Sequence, residues 1–138
     1  MEYEITWGGD PEDASVTARG VATVEGLNAW VQESLSDPRH RPGLRVLVDY
    51  TQLDWSDLSP TDVHERVALY AKDAIKLDHA RVALVMRAPA DFGVARMEQA
   101  YVELNPELEI EIGVFFSIDA ARRWLSTFPA PDPPTADS

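Results

Sequence analysis

The sequence predicts an α/β domain built on a five-stranded mixed sheet, and two observations support that prediction. Short runs of alternating or β-branched apolar residues, typical of strands, are separated by longer stretches with apolar residues at helical spacing. The order is strand, strand, helix, then three strand–helix units, and strands joined through a helix run parallel. We therefore expect an antiparallel first strand, parallel strands after it, and four helices.

The first two strands are predicted from alternation. Residues Glu2–Trp7 alternate polar and apolar side chains, and so do residues Ala14–Gly20. Between them, Gly8-Gly9-Asp10-Pro11 has strong turn chemistry. The two runs therefore predict an antiparallel hairpin.

A helix and a central strand follow the hairpin. From Val24 to Leu35 the apolar residues recur at helical spacing, Thr23 is the predicted N-cap, and Asp37-Pro38 ends the helix. Residues Leu44–Tyr50 form a dense β-branched run, which is typical of a central parallel strand.

The remaining elements repeat the same pattern. Ser59, Pro60 and Asp62 predict a helix start with a capping box, and apolar residues at helical spacing continue to Ile75. The next predicted elements are a strand over Arg81–Arg87, a helix over Pro89–Leu104, a strand over Leu108–Phe116, and a final helix that Ser117 caps and that continues to Phe128. We expect residues 1–128 to form a single domain and the Pro-rich, acidic residues 129–138 to be a disordered tail.

The two faces of the predicted sheet differ in polarity. One face is apolar along every strand, and right-handed crossovers place their helices on one face if strand order follows chain order. We therefore expect the four helices mainly on that face. The other face is polar except for an island formed by Leu47, Ala83, Val85 and Phe115. This island predicts a homodimer contact or a lid, or else burial beneath the chain's own termini.

Composition excludes several classes of function. The 24 acidic and 12 basic residues give a net charge of −12, which repels nucleic acid and anionic membrane surfaces. The absence of cysteine excludes disulfides and thiolate metal sites. No apolar run is long enough to insert across a membrane, and we expect a cytoplasmic protein.

Catalytic and metal-binding motifs are missing from the sequence. The three histidines are far apart, and none has a second ligand at metal-binding spacing. We therefore predict a non-catalytic binding or regulatory module that acts through a protein partner, without cofactor or metal. Two alternatives stay open: a carrier of a small apolar ligand or lipid, and a small magnesium-dependent enzyme that uses Asp49, Asp54 and Asp57.

The segment from Asp49 to Ser59 is the predicted partner-binding or regulatory site. It follows the carboxyl end of a central strand, where open α/β sheets place their sites, and leads into a helix N-terminus. Its candidate side chains are Thr51, Asp54, Trp55, Ser56, Asp57 and Ser59. Trp55 has no periodic apolar partner, so we expect it to be partly exposed and to contact a positively charged partner. The alternative is a capped connection with Trp55 folded onto the core.

Two basic features are open to two interpretations each. Arg96 precedes an inward-facing methionine and is either an anion contact or part of an interhelical ion pair. The segment Asp37–Gly43 concentrates positive charge at the opposite end of the strands from the candidate site. It either takes an acidic partner or a phosphate, or lines a polar edge.

Three segments, by their order and spacing, resemble the small bacterial STAS/SpoIIAA-like domain proteins. They are Arg41–Asp49, Phe92–Met97, and Val114–Phe116 followed by Ala120–Leu125. The resemblance extends from about Thr6 to Phe128 and implies a SpoIIAA-like fold. It also implies a partner- or ligand-binding module, because the wider fold includes anti-sigma-factor antagonists, sulfate-transporter tails and lipid-binding relatives.

The resemblance also implies where regulation takes place. In the antagonists, a serine in an Asp-Ser-Ser-Gly-like motif just before a helix is phosphorylated by a partner kinase. The corresponding residues here are Asp57-Leu58-Ser59-Pro60, so the glycine is missing and Leu58 or Ser59 takes the place of the serine. The resemblance therefore implies a location rather than a mechanism.

Overall fold

A computed structural model of the chain describes residues 1–59, 61–62, 79–87, 96, 99–100, 103 and 110–131. The elements with defined bounds are β1 (Glu2–Trp7), β2 (Ala14–Val21), α1 (Val24–Ser36), β3 (Arg45–Asp54), β4 (Arg81–Val85), β5 (Glu111–Phe115) and α2 (Ile118–Leu125). The predicted helices that start at Pro60 and at Pro89 lie mostly outside the described residues, and so do residues 132–138 of the predicted tail.

The five strands form one sheet in the order of the chain, β1-β2-β3-β4-β5. β1 pairs antiparallel with β2, and the pairs β2–β3, β3–β4 and β4–β5 are parallel. The predicted hairpin and mixed sheet are therefore confirmed. Because four strands run parallel, their carboxyl ends share one edge of the sheet, the carboxyl edge, and their amino ends share the opposite amino edge.

The larger core lies between α1 and one face of the sheet, the first face. Leu27, Trp30 and Val31 of α1 are buried at helical spacing against strand residues that include Val16 and Val48. The predicted N-cap forms, because the N–H of Gly26 donates a hydrogen bond of 3.0 Å to Oγ1 of Thr23. Burial of this apolar stripe is the main force that holds α1 in place.

α2 lies on the opposite face, the second face, so this helix departs from the expected face, while the faces of the two helices that lie mostly outside the described residues stay a prediction. Ala121 and Leu125 of α2 pack against Leu47, Ala83 and Val85, and all five side chains are buried. α2 follows the last strand and is not a crossover between parallel strands, so the handedness rule does not determine its face. It covers the apolar island, which would otherwise be exposed to water.

The predicted dimer or lid patch is therefore occupied by the chain itself. Leu47 and Val85 are 3% and 1% exposed, and half-buried Phe115 contacts Trp124 with ring centroids 5.6 Å apart. Of the two interpretations of the island, burial beneath the chain's own terminal segment is correct. Leu47 and Val85 are therefore unavailable for a homodimer contact while α2 is in place, and a homodimer through another surface stays a prediction.

Ion pairs join the α2 region to the hairpin. Arg122 Nε lies 3.0 Å from Oε2 of Glu12, whose residue is 3% exposed. Arg45 Nε lies 3.0 Å from Oδ2 of Asp13, and Arg45 also donates to the carbonyl of Phe128 at 3.3 Å. These contacts join the C-terminal segment to the loop before β2 and to the first residue of β3.

Candidate functional site

The carboxyl edge carries an exposed side chain at the end of each parallel strand. They are Val21 at the end of β2, Asp54 at the end of β3, Arg87 two residues after β4, and Phe116 directly after β5. Val21 is 41% exposed and Phe116 is 53% exposed. Among the described residues, they are the most exposed large apolar side chains. Both therefore lie at one edge of the molecule.

β3 is longer than the sequence predicted. It ends at Asp54 instead of Tyr50, because its pairing with β2 continues as far as Val21 opposite Asp54. β4 ends at Val85, so the last part of β3 projects beyond it. The connection at the candidate site therefore begins at Trp55 and follows a rigid strand.

The hydroxyl of Thr51 is committed to its own strand. The N–H and the Oγ1 hydroxyl of Thr51 both donate to Oδ1 of Asp49, at 2.9 and 2.6 Å. Both residues are half-buried. Thr51 therefore orients Asp49 and does not present a free hydroxyl at the edge.

Asp54 and Ser56 form a turn at the end of β3. The N–H of Ser56 donates to Oδ1 of Asp54 at 2.9 Å. The pKa of Asp54 is lowered mainly by this backbone hydrogen bond, then by a side-chain hydrogen bond from Ser56, and further by the positive charge of Arg87. Asp54 is thus held as an exposed carboxylate in a defined orientation.

The predicted capping box at Ser59 is confirmed. Oγ of Ser59 accepts a hydrogen bond of 3.1 Å from the N–H of Asp62, and Oδ2 of Asp62 accepts one of 2.9 Å from the N–H of Ser59. Ser59 and the neighbouring Asp57 are both exposed. The Ser59 side chain therefore caps a helix and remains accessible from solvent.

Trp55 is a core residue, and the expectation that it is partly exposed is wrong. It is 7% exposed, and its ring meets Tyr50 edge-to-face with centroids 5.1 Å apart. Its Nε1 is buried and has no hydrogen-bond partner in the part of the chain that the structure describes. Trp55 belongs to the first-face core because a register shift in β3 after Asp49 brings Leu53 and Trp55 onto the same face as Tyr50. It cannot contact a partner directly.

Arg96 is exposed and contacts its own helical neighbour. It donates to Oε1 of Gln99 at 2.7 Å, and Nε2 of Gln99 donates to the carbonyl of Ile112 at 2.9 Å. This chain of hydrogen bonds leads to the start of β5. Both interpretations of Arg96, an anion contact and an interhelical ion pair, stay predictions.

The alternative functions gain little from the geometry. Within the described residues, Asp49, Asp54 and Asp57 are not part of any group of three metal-ligating side chains that could hold an ion. An apolar cavity between α1 and the first face, lined by Trp30, Leu44 and Ile112 among others, has a volume of about 40 Å³. That is enough space for a water molecule, but not for a lipid chain.

The sequence reasoning missed Val21 and Phe116. The sequence contained a signal for Val21. Every second residue of β2 before it is polar, namely Ser15, Thr17 and Arg19, and Val21 is an apolar residue at the next position of that series. Phe116 follows Phe115 directly, so the two cannot both point into the same core. Their shared edge became apparent only from the strand order.

Comparison with solved structures places the fold. No protein-family model matches the sequence, and no curated protein is significantly similar to it. The chain is similar to the crystal structure of an uncharacterised protein of the DUF3478 family, with a SpoIIAA-like fold, from Shewanella loihica PV-4. The TM-score is 0.58 at 21% identity, and the match covers 89% of this chain and 93% of that chain. The chain therefore has a SpoIIAA-like α/β fold.

Among the residues that the structure describes, none forms a helix that is both long and apolar enough to cross a bilayer.

Proposed function

We propose that this chain is a non-catalytic STAS-like binding module and that it docks a protein partner on its carboxyl edge. The observation that carries the proposal is the exposure of Val21 and Phe116 at that edge. They end β2 and β5, which are three strand spacings or about 14 Å apart across the sheet, and the register places Val21 three residues, or about 10 Å, further along the strand direction than Phe116. Exposed apolar side chains so grouped, among charged residues, are typical of protein contact surfaces.

The charge of the edge selects the kind of partner. Asp54 and Asp57 are exposed there, and the lowered pKa of Asp54 keeps its carboxylate charged. Among the described residues, Arg87 is close enough to Asp54 for its positive charge to lower the pKa of that carboxylate. The whole chain carries a net charge of −12. The partner should therefore combine an apolar patch with lysine or arginine side chains, and salt should weaken the complex.

The edge is preorganised for binding. The Asp54–Ser56 turn and the Ser59–Asp62 capping box fix the connection on the surface, and buried Trp55 supports it from beneath. A surface whose backbone is already ordered loses less conformational entropy on binding.

Site-specific crosslinking tests the location of the surface. A photoreactive phenylalanine at position 116 should crosslink the partner in cells, whereas the same residue at Thr6, exposed on β1, should not. The crosslinked protein is then identified by mass spectrometry and purified. Equal crosslinking from both positions would show that the carboxyl edge is not the docking surface.

Affinity measurements with the purified partner test the chemistry. Phe116→Ser and Asp57→Arg should each weaken binding about tenfold or more, as losses at central interface residues do. Glu4→Arg makes the same charge change on exposed β1 and is the matched control. If Glu4→Arg weakens binding as much as Asp57→Arg, net charge governs the complex and the proposed surface is wrong.

A further inference from the structure

A cleft of about 230 Å³ lies at the amino edge, at the opposite end of the sheet from the proposed docking surface. Its walls include Trp7, Gly8, Arg39, Arg41 and Pro131, and Leu44 lines its floor. The guanidinium of Arg39 stacks over the Trp7 ring at 5.0 Å from the centroid. The cleft therefore combines an aromatic wall with positive charge, in a chain that is strongly acidic overall.

Arg41 stands out among the half-buried arginines. Among the described residues, three arginines are half-buried: Arg41, Arg45 and Arg81. Arg45 pairs with Asp13 and Arg81 pairs with Glu111, each at 3.0 Å. Arg41 has no ion pair or hydrogen bond in the described part of the chain. Partial burial of a guanidinium costs desolvation free energy. In Arg45 and Arg81 an ion pair with a carboxylate offsets that cost, and in Arg41 no described carboxylate does so.

Two acidic side chains at or beside the cleft, Asp13 and Asp37, are engaged by other arginines. Asp13 also lines the cleft, but Oδ2 accepts from the N–H and Nε of Arg45 and Oδ1 accepts from a second guanidinium nitrogen. Both carboxylate oxygens of Asp37 accept from Arg39, and these bonds lower the pKa of Asp37 to about 2. Neither carboxylate pairs with Arg41, whose guanidinium has no ion-pair partner among the described residues.

We infer that this cleft binds a carboxylate side chain on an acidic peptide segment of a partner protein, with Arg41 as its ion-pair donor and Trp7 and Pro131 as its apolar contacts. A single unpaired guanidinium matches one carboxylate, whereas a phosphate dianion needs more positive charge than the cleft offers. The cleft opens to solvent at Gly8 and Arg39, which are exposed. An open cleft covers one side of a chain but cannot bury most of a small ligand.

The test is a titration followed by NMR. The probe is N-acetyl-Glu-Leu-Pro-amide, added to the ¹⁵N-labelled full chain, with the glutamine analogue as the neutral control. The glutamate peptide should give saturable shifts at Gly8, Gly9 and the Arg41 Nε–H, and the glutamine peptide should not. Equal shifts from both peptides, or none from either, would overturn the inference.

Arg41→Gln should weaken binding of the glutamate peptide about tenfold or more, as loss of a charged hydrogen bond does. Arg123→Gln removes the same charge from α2, where Arg123 is exposed and has no ion pair among the described residues, and should leave the affinity unchanged. Arg41→Gln should also leave the melting temperature unchanged. A clearly lower melting temperature would mean that Arg41 has a structural partner, and the inference would fail.

Two further arms distinguish other occupants. Inorganic phosphate that gives the same shifts at a lower concentration than the peptide would identify a general oxyanion site and overturn the peptide assignment. Removal of residues 132–138, which continue from Pro131, should leave the Gly8, Gly9 and Arg41 signals unchanged. If removal shifts them to new positions, the chain's own tail occupies the cleft instead of a partner.

Discussion

The two faces of the sheet are covered by different physical means. The first face is apolar across all its strands, and α1 packs on it as a crossover between β2 and β3. The second face is polar except for the apolar island, and α2, which follows the last strand, covers that island. Crossover helices are confined by handedness, whereas a terminal helix goes where apolar surface remains. A small apolar island on a polar face therefore indicates a terminal helix as readily as a second subunit.

A buried charge on the second face should have the largest effect. Val85 is 1% exposed beneath α2, so Val85→Glu should destabilise the fold by about 4 kcal/mol or more, because the carboxylate would be buried without a partner. Urea unfolding followed by circular dichroism measures this. The control, Thr6→Glu on exposed β1, should change the stability by less than about 0.5 kcal/mol. A well-folded Val85→Glu monomer from a dimeric parent would restore the dimer interpretation.

On the first face, two buried tryptophans make a matched pair. Trp55→Ala should cost about 3–5 kcal/mol because it leaves a large cavity against Tyr50. Trp55→Phe should cost less than Trp30→Phe by about 1 kcal/mol, because Nε1 of Trp30 donates to Tyr50 Oη at 2.9 Å and Nε1 of Trp55 has no acceptor among the described residues. The free energies of unfolding decide the order. The reverse order would mean that Trp55 Nε1 has a partner.

The attachment of α2 to the hairpin loop can be tested with adjacent arginines. Arg122→Ala should cost about 2 kcal/mol, because it leaves the buried Glu12 carboxylate without its guanidinium partner. Arg123→Ala, one residue later and exposed, is the control and should change stability by less than about 0.5 kcal/mol. Thermal melts of both variants give the comparison. Equal effects would show that the pair with Glu12 adds nothing to the second-face packing.

The smallest expected effect is at the cap beside the carboxyl edge. Ser59→Ala should cost about 1 kcal/mol, and Ser59→Asp should cost little, because aspartate also accepts the N–H of residue 62. Chemical denaturation measures both. Ser117→Ala, which removes the equivalent cap of α2, is the second-face counterpart and should cost a similar amount. An unchanged stability in Ser59→Ala, together with loss of a partner, would make the Ser59 hydroxyl a recognition group.

Much of the candidate site could be predicted from the sequence. The main error of that prediction, the exposure of Trp55, has one physical origin. The location at the carboxyl edge and the capping box at Ser59 follow from local sequence. The burial of Trp55 does not, because it depends on a bulge in β3. Thr17 pairs with Asp49 but Arg19 pairs with Gln52, so β3 holds one extra residue and its side-chain alternation shifts by one position. Alternation counted along the sequence loses its register at such a bulge.

The sequence by itself determined the features that depend on neighbours along the chain. These are the strands with their apolar faces, the hairpin, and the caps at Thr23, Ser59 and Ser117. Tertiary structure alone decided the side of the sheet that α2 covers, the burial of Trp55, and the placement of Val21 and Phe116 at the same edge of the sheet. Alternation, turns and caps are short-range interactions that a few residues encode. Contacts between distant segments depend on which apolar surface the rest of the fold leaves uncovered, and no single segment carries that information.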